Sequence, residues 1–199
     1  MKNKNEVDLK TSDGTRLTGR KWSDVSNPKA VVVLVHGTGE HVARYEHVAK
    51  AFNDRDLALI AFDHGRSKGK RGHIGSPRQV MANITQMIDF AKAAVPDKPV
   101  FLYGHSMGGM EVLYYALNEK PAIAGVIVTS PALDRATFTP GQVRLMQMLK
   151  HIAPRLTVAS GLKRWALSRD PQVIANYEKD KLVHDKVSVS TGYFIYDGI

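Results

Sequence analysis

Residues 100–109, VFLYGHSMGG, decide the fold class of this chain. An apolar run leads into Ser106, the centre of a G-x-S-x-G pattern, and residues 107–120 continue with the spacing of a helix. A strand that turns sharply at a serine into a helix, with glycines where the two approach closely, is typical of a nucleophile elbow. Because such a serine needs a histidine to take its proton and an acid to hold that histidine, the stretch also predicts partners elsewhere.

The G-x-S-x-G pattern occurs a second time, as GRSKG at residues 65–69. Both copies follow an apolar strand, so the pattern alone does not choose between them. Ser67 is followed by KGKRGHIGSP, which is typical of a loop. The helix after Ser106 instead directs its N-terminal N–H groups and positive dipole end at a developing oxyanion. We therefore predict that Ser106 is the nucleophile and that Ser67 is a loop serine.

Apolar stretches elsewhere in the chain predict a sheet. Residues 6–10 and 15–22 flank the turn-forming Ser12-Asp13-Gly14 and predict two antiparallel strands. The remaining stretches are apolar on both faces, as expected of strands buried within a parallel sheet. They are residues 30–37, 57–64, 100–106 and 124–131.

Helical patterns separate these strands. Residues 45–53 are amphipathic. Ser76, Pro77 and Gln79 supply an N-cap, a first-turn proline and a capping-box glutamine ahead of a helix over residues 80–95. Alternating strands and helices predict an α/β fold with a mainly parallel sheet, because parallel neighbours need crossover connections.

The alternation stops after Pro131. Residues 140–156 predict one long helix with an apolar face, followed by no strand, and residues 160–180 have the pattern of short helices and turns. Ordinary packing and a lipid-lining surface are both open for the long helix. We interpret residues 135–185 as an insertion over one end of the sheet. The apolar face of the predicted long helix comprises Leu145, Leu149, Ile152 and Leu156, with Met146 and Met148 beside it.

HGTGEH, residues 36–41, follows the first strand of the parallel set. Its glycines allow a tight turn beneath the elbow, so that the N–H groups of Thr38 and Met107 form an oxyanion hole. Loss of one such donor typically raises the reaction barrier by about 3 kcal/mol. His36 and His105 flank the two backbone turns, and we expect both to be structural.

Composition restricts the function classes. A chain of 199 residues, 43% of them hydrophobic, fits one globular domain, and the lack of cysteine excludes disulfides and thiolate metal sites. No stretch has the length of a membrane span, and the N-terminus has no apolar signal segment. The net charge of +9 is scattered, and its densest cluster, residues 66–71, is interleaved with glycines and accompanied by no nucleic-acid module. We predict a solvated basic surface, no nucleic-acid partner, no metal and no other cofactor.

Motifs along most of the chain resemble the α/β-hydrolases of the monoacylglycerol lipase and lysophospholipase group, which is serine aminopeptidase S33-like. The resemblance implies an α/β-hydrolase core over residues 1–134, a helical cap over 135–185 and a segment over 186–199 that returns to the core. The motifs are HGTGEHVARYEHVA, AFDH with GRSKGKRGH, GHSMGG, VTSPAL and SRDPQVIANYEKDKLVHDK.

The same resemblance implies an ester hydrolase for monoacylglycerols or related single-chain lipids, with Ser106 as nucleophile and Thr38 and Met107 as oxyanion donors. It places Glu40 and Arg44 near the pocket for the alcohol part of the substrate. A surface ion pair or a helix start is an equally open interpretation of these two residues. The expected partner is a lipid ester, met by a cytoplasmic protein with peripheral contact at a membrane or lipid surface. The oligomeric state is left open.

Two departures from the family pattern bear on the site. Family members read D-x-R-G-H-G-x-S after the fourth strand, whereas this chain runs from Asp63 directly through His64 and Gly65 to Ser67, without a short piece of that loop. The triad order in this fold is Ser, then Asp, then His, and the resemblance puts the last two after two further strands. The sequence stops at SVSTGYFIYDGI, so we expect the C-terminal part of the fold, with the triad Asp and His, to lie outside these residues.

Alternatives to that expectation remain open. After Ser106 the only histidines are His151 and His184, and a triad of Ser106, Asp134 and His184 is conceivable. The β-branched content of residues 188–199 favours a strand, whereas the resemblance implies a helix. A catalytically silent α/β-hydrolase-like binding protein and an esterase or peptidase of other specificity are the competing functions.

Overall fold

The computed structural model describes residues 5–11, 14, 16–64, 71–135 and 138–198. Strands and helices alternate through the first two thirds of the chain, as predicted. The strands are β1 Glu6–Lys10, β2 Arg16–Trp22, β3 Ala30–Val35, β4 Leu57–Phe62, β5 Val100–His105, β6 Gly125–Thr129, β7 Thr157–Ala159 and β8 Lys186–Ser188. The helices are α1 Glu46–Asn53, α2 Pro77–Ala94, α3 Met107–Glu119, α4 Pro140–Ile152, α5 Pro171–Lys179 and α6 Val189–Asp197.

Six strands form one sheet in the order β1-β2-β4-β3-β5-β6. The pairs β1/β2 and β2/β4 are antiparallel, and β3, β4, β5 and β6 run parallel, which confirms the predicted mainly parallel sheet with antiparallel strands at its start. Val33, in the middle of β3, pairs with Ile60 on one side and with Leu102 on the other. The loops after β3 and β5 therefore emerge beside each other at the carboxyl end of the sheet.

The composition of β3 explains its central place. All of its residues are buried, and alternate side chains enter different hydrophobic layers. Val31, Val33 and Val35 pack in the larger layer, which holds α2, α3 and α6, and Val32 and Leu34 pack in the layer that holds α1. A strand covered by helices on both faces needs this continuous apolar run.

Strand β6 differs from the prediction that residues 124–131 are buried on both faces. Among the described strands it pairs with β5 alone, and Ile127 remains 38% exposed. Apolar composition predicts that a segment is a strand, but it does not determine which neighbours cover it.

The helix starts follow the predicted capping chemistry. The side chain of Ser76 accepts a hydrogen bond from Gln79 N–H at 3.2 Å, and Pro77 occupies the first turn of α2. A short 3-10 turn over Val42–Tyr45 precedes α1, so the predicted helix over 45–53 begins one residue later, at Glu46.

Residues 135–185 were predicted to form a cap, and we keep that name for them. The structure corrects two of the predictions made for this segment. Helix α4 ends at Ile152, just before Pro154, so Leu156 lies outside the helix to which it was assigned. The prediction that no strand follows was also wrong, because residues 157–159 form β7, antiparallel to β8. The partner strand lies almost thirty residues downstream, so no local pattern indicates the pairing.

Residues 189–197 form the helix α6 that the family resemblance implied, and the strand favoured by β-branched content is wrong. The Ser188 side chain accepts a hydrogen bond from Thr191 N–H at 3.2 Å and caps the helix. Phe194 is buried in the core, where its ring meets that of Tyr114 edge to face. Capping and core burial outweigh the weak helix preference of β-branched residues.

Candidate active site

Ser106 lies at the turn between β5 and α3, at the carboxyl end of the parallel strands, where α/β folds place their ligand sites. Its backbone has φ 55° and ψ −120°, the strained conformation typical of a nucleophile elbow. Ser106 N–H donates to Thr129 O at 3.0 Å, and Ser106 O accepts from Met110 N–H at 3.2 Å and Ala132 N–H at 3.0 Å. These bonds hold the strained residue at a fixed, partly exposed position.

Glycines allow the elbow to form. A methyl group on Gly104 would lie 2.3 Å from Gly108 O, and one on Gly108 would lie 2.1 Å from Val35 O. The first turn of α3 thus sits directly on the ends of β5 and β3, with no room for a side chain between them. This close approach aims the N-terminus of α3 at the loop after β3.

The turn over residues 36–41 lies against the elbow. A methyl group on Gly37 would be 3.0 Å from Ser106 Cβ, and the Thr38 hydroxyl is 3.1 Å from Met107 Sδ. The Met107 N–H belongs to the first turn of α3, where N–H groups have no acceptor within the helix. The structure thus brings Thr38 and Met107 together beside Ser106, and their role as oxyanion donors stays a prediction.

Glu40 and Arg44 form an ion pair and line the same cavity as Ser106, but both side chains are largely buried, so the pair does not lie at the surface. A role beside the alcohol part of a substrate stays a prediction. Glu40 Oε2 lies 3.5 Å from Arg44 Nε, and Glu40 Oε1 accepts from Gly37 N–H and from the Tyr45 hydroxyl, each at 2.7 Å. Burial and the Glu40 carboxylate raise the pKa of Tyr45, which keeps this hydroxyl a donor. Glu40 therefore braces the turn beneath Ser106.

A cavity of about 130 Å³ opens above Ser106. Its polar wall comes from the turn after β3 and from His105, and its apolar wall comes from the cap. The long helix α4 does not line this cavity, so its methionines do not form the wall nearest Ser106. The cap residues in the wall were not singled out from the sequence, because residues 160–180 have no regular periodicity. The cap residues in the wall are Leu162, Leu167, Val173 and Tyr177. The guanidinium of Arg44 stacks on the ring of Tyr177, 4.6 Å from the ring centre.

The two histidines expected to be structural have partners that fit that expectation. His36 is buried, its Nδ1 lies 2.8 Å from Gly37 O, and its Nε2 accepts from His64 N–H at 3.0 Å. Burial and the neighbouring His64 lower the pKa of His36, which favours the neutral ring that these contacts require. His105 Nδ1 lies 2.9 Å from the Thr129 hydroxyl.

A buried ion pair next to the elbow was missed at the sequence level. Glu111, on α3, is fully buried, and its Oε2 lies 3.1 Å from Nε2 of His64, which follows β4. Burial lowers the pKa of His64, but the Glu111 carboxylate outweighs it and raises the pKa overall. The available signal was an acid within the apolar run MGGMEVLYYAL, at residues 107–117.

Two polar contacts join the cap to the turn after β3, and we call them the cap clamp. His184 N–H donates to Gly39 O at 2.9 Å, and His41 Nε2 lies 2.7 Å from Asp180 Oδ2. Burial raises the pKa of Asp180, but the hydrogen bonds from the His41 ring and the Leu182 N–H, together with the nearby charge of Arg44, lower that pKa overall. The ionised carboxylate can only accept, so His41 carries the proton on Nε2.

None of the alternative triad residues lines the Ser106 cavity. Asp134 is exposed on the loop after β6, His151 is exposed at the end of α4, and His184 lines a neighbouring cavity of about 190 Å³. Within the ranges that the structure describes, no hydrogen bond joins a histidine to the Ser106 hydroxyl. The triad acid and base stay unassigned. Ser67, the predicted loop serine, and the shortened loop after His64 lie outside the described residues.

No group of three or more His, Asp or Glu side chains among the described residues is arranged to hold a metal ion. None of the described helices combines the length and the apolar content needed to cross a bilayer.

The order of the strands in the sheet and the strained serine at the elbow together define an α/β-hydrolase. More particularly, the chain belongs to the family of serine aminopeptidase, S33, whose sequence profile matches residues 26–199. A crystal structure of monoacylglycerol lipase from Paleococcus ferrophilus superimposes with a TM-score of 0.80 at 36% identity, over 92% of this chain and 69% of that one.

Curated relatives agree with this family. The chain is 34% identical over 175 residues to a monoacylglycerol lipase of Mycolicibacterium smegmatis, covering 86% of this chain and 62% of the lipase. It is 40% identical over 186 residues to an abhydrolase domain-containing protein of Dictyostelium discoideum, covering 91% of this chain and 20% of that protein. The chain thus spans less than two thirds of the length of these relatives.

Proposed function

We propose that the protein hydrolyses monoacylglycerols or related single-chain lipid esters through an acyl-enzyme on Ser106. The observation that carries the proposal is the strained Ser106 with the Gly37–Thr38 turn packed against it. Similarity to proteins named monoacylglycerol lipase supports the substrate class. The Ser106 hydroxyl oxygen attacks the ester carbonyl, a general base accepts its proton, and the alcohol leaves with that proton. Water then releases the fatty acid and restores the serine.

Oxyanion stabilisation follows from the same geometry. The carbonyl oxygen becomes negative only in the tetrahedral intermediate, so donors placed for that charge lower the barrier rather than merely binding substrate. The proposed donors are the N–H groups of Thr38 and Met107, at the positive end of α3. Each donor of this kind contributes about 3 kcal/mol in hydrolases that use such a site.

The walls of the cavity support a lipid ester as substrate. The acyl chain would lie along the apolar cap wall formed by Leu162, Leu167 and Val173, and the alcohol part beside Glu40 and Arg44. The general base and its acid would lie in residues equivalent to the part of the lipase relatives that this chain does not cover. The in-chain set of Ser106, Asp134 and His184 is the alternative.

We also propose peripheral contact with a lipid surface, which exposed apolar residues of the cap support. Trp165 is 71% exposed, and the end of α4 exposes Ile152 as well. Sedimentation with phosphatidylcholine vesicles, comparing the wild type with Trp165→Ser, tests this contact. Equal binding by the two proteins would refute a role for this part of the cap.

The substrate class is tested with protein produced from the complete coding sequence. Turnover of a long-chain monoacylglycerol is compared with turnover of a short ester and of an aminoacyl amide, since the family also suggests peptidase activity. We expect the monoacylglycerol to be preferred. Ser106→Ala should remove the activity, and Ser67→Ala, in the matching GRSKG pattern, should retain it. Preference for the amide would favour the peptidase alternative, and monoacylglycerol binding without turnover would favour a silent binding protein.

A further inference from the structure

Glu111 occupies an unusual place for an acid. It lies on the helix that begins at the elbow, five residues after Ser106, and its side chain is fully buried. The His64 side chain, 3% exposed, faces it with Nε2 at 3.1 Å from Oε2. A buried ion pair generally contributes little net stability compared with apolar residues of the same volume, so its stabilising effect alone does not account for it.

The contacts of His64 lead back to the turn over residues 36–41. Its backbone N–H donates to His36 Nε2 at 3.0 Å, and its ring meets the His36 ring edge to face at 4.8 Å between centres. Because Nε2 accepts this bond, the neutral His36 ring carries its proton on Nδ1. That proton is donated to Gly37 O at 2.8 Å.

Gly37 O and Thr38 N–H belong to one peptide group. The group is planar and trans, so its carbonyl and its N–H point in opposite directions, and fixing one direction fixes the other. The His36 bond to Gly37 O therefore sets the direction of the Thr38 N–H. A rotation of this peptide would misdirect the donor without moving Ser106.

We propose that Glu111 is a positioning residue for the oxyanion-hole peptide Gly37–Thr38 and acts on it through His64 and His36. The inference rests on the proposed function, because it assigns the Thr38 N–H to the oxyanion. With Glu111 neutralised, His64 loses the partner that anchors its ring, its backbone N–H shifts, and His36 no longer has a fixed acceptor contact on Nε2. The two neutral tautomers of His36 should then interconvert, and Gly37 O should lose its constant donor.

The first readout of the test does not require activity. Glu111→Gln is compared with Glu119→Gln, an exposed acid near the end of the same helix, by ¹⁵N nuclear magnetic resonance of labelled histidines. We expect His36 to show a single Nδ1–H tautomer in the wild type and in Glu119→Gln, and a mixture in Glu111→Gln. If Glu111→Gln does not fold, the double variant Glu111→Leu/His64→Phe removes both charges and is examined in the same way. A folded variant without the pair that keeps the wild-type His36 spectrum would overturn the proposal.

The second readout is kinetic and uses protein from the complete coding sequence. Glu111→Gln should lower kcat by about tenfold to a hundredfold with little change in KM, a fraction of the effect of losing an oxyanion donor outright. An unchanged kcat would overturn the proposal. If the wild type hydrolyses no ester, the proposed function fails, while the tautomer measurement still decides whether Glu111 positions the turn.

Discussion

At the scale of single residues, the site depends on a backbone conformation that few residues adopt. Strain of the kind found at Ser106 typically costs about 1–3 kcal/mol and persists only where surrounding contacts enforce it. Three backbone hydrogen bonds and the close approach of α3 to β3 enforce it here. The backbone that carries the hydroxyl is therefore fixed before substrate arrives, which reduces the entropy lost on reaching the transition state.

Gly108→Ala tests how closely this packing is required. The added methyl group would lie 2.1 Å from Val35 O, so the first turn of α3 must move away from β3. We expect a loss of about 1–3 kcal/mol in the free energy of unfolding, measured by urea denaturation, together with lower esterase activity. Gly141→Ala, in the first turn of α4, is the matched control, because its methyl group meets nothing within 4 Å. Equal stability of the two variants would contradict the packing account.

The position of Ser106 at a turn between a strand and a helix could be predicted from sequence, whereas the buried pair of Glu111 and His64 beside it could not. The difference has a physical reason. The elbow needs a strand, a serine, glycines and a helix in immediate succession, so its chemistry is local in the chain. The ion pair of Glu111 with His64 joins residues on different elements. Nothing in the residues next to either one indicates the partner.

At the scale of elements, polar contacts connect the cap to the turn over residues 36–41. The cap clamp joins residues 180–184 directly to residues 39–41. Helix α5 adds the stacking of Tyr177 on Arg44. These contacts mean that a displacement of residues 177–184 would also displace the turn that carries the proposed oxyanion donor.

Asp180→Asn should loosen the cap. The change removes the carboxylate that accepts from His41, and a hydrogen bond of this kind contributes about 1–2 kcal/mol. Amide hydrogen exchange over residues 160–185 should therefore become roughly tenfold faster. Asp185→Asn is the control, because Asp185 is half-exposed and lies 3.9 Å from Arg164. Identical exchange in the two variants would show that the clamp does not hold the cap.

The elements themselves were predicted unevenly. Strands β3, β4 and β5 were predicted close to their observed positions, because burial on both faces demands an uninterrupted apolar run. Residues 189–197 have strand-like composition but form a helix, since Ser188 caps it and Phe194 packs into the core. In the cap, long-range pairing between β7 and β8 set structure that local spacing did not reveal.

At the scale of the whole molecule, three histidines make the free energy of unfolding depend on pH in two opposite directions. The pKa of His64 is raised, chiefly by Glu111 against the effect of burial, so its contribution is present below pH about 6.5 and is lost as pH rises through the folded pKa. The pKa values of His36 and His73 are lowered, mainly by burial, so their contributions are lost as pH falls from about 6.5 through their folded pKa values.

Urea denaturation across pH separates these contributions. Glu111→Gln removes the main cause of the raised His64 pKa, so the alkaline loss of stability attributable to His64 should be strongly reduced in this variant. The acid-side loss caused by His36 and His73 should remain. The exposed Glu119→Gln variant should retain both. If Glu111→Gln and Glu119→Gln show the same slope above pH about 6.5, the ion pair with His64 does not contribute as described.

The central claim, that Ser106 is the nucleophile, is tested most directly by trapping the acyl-enzyme. Protein from the complete coding sequence is mixed with a long-chain monoacylglycerol, quenched in acid within the first turnovers, and analysed by intact mass and peptide mapping. The account predicts one added acyl group, located on the peptide that contains Ser106 and absent from Ser106→Ala. Hydrolysis that continues in Ser106→Ala, or an acyl group mapped to another residue, would contradict it.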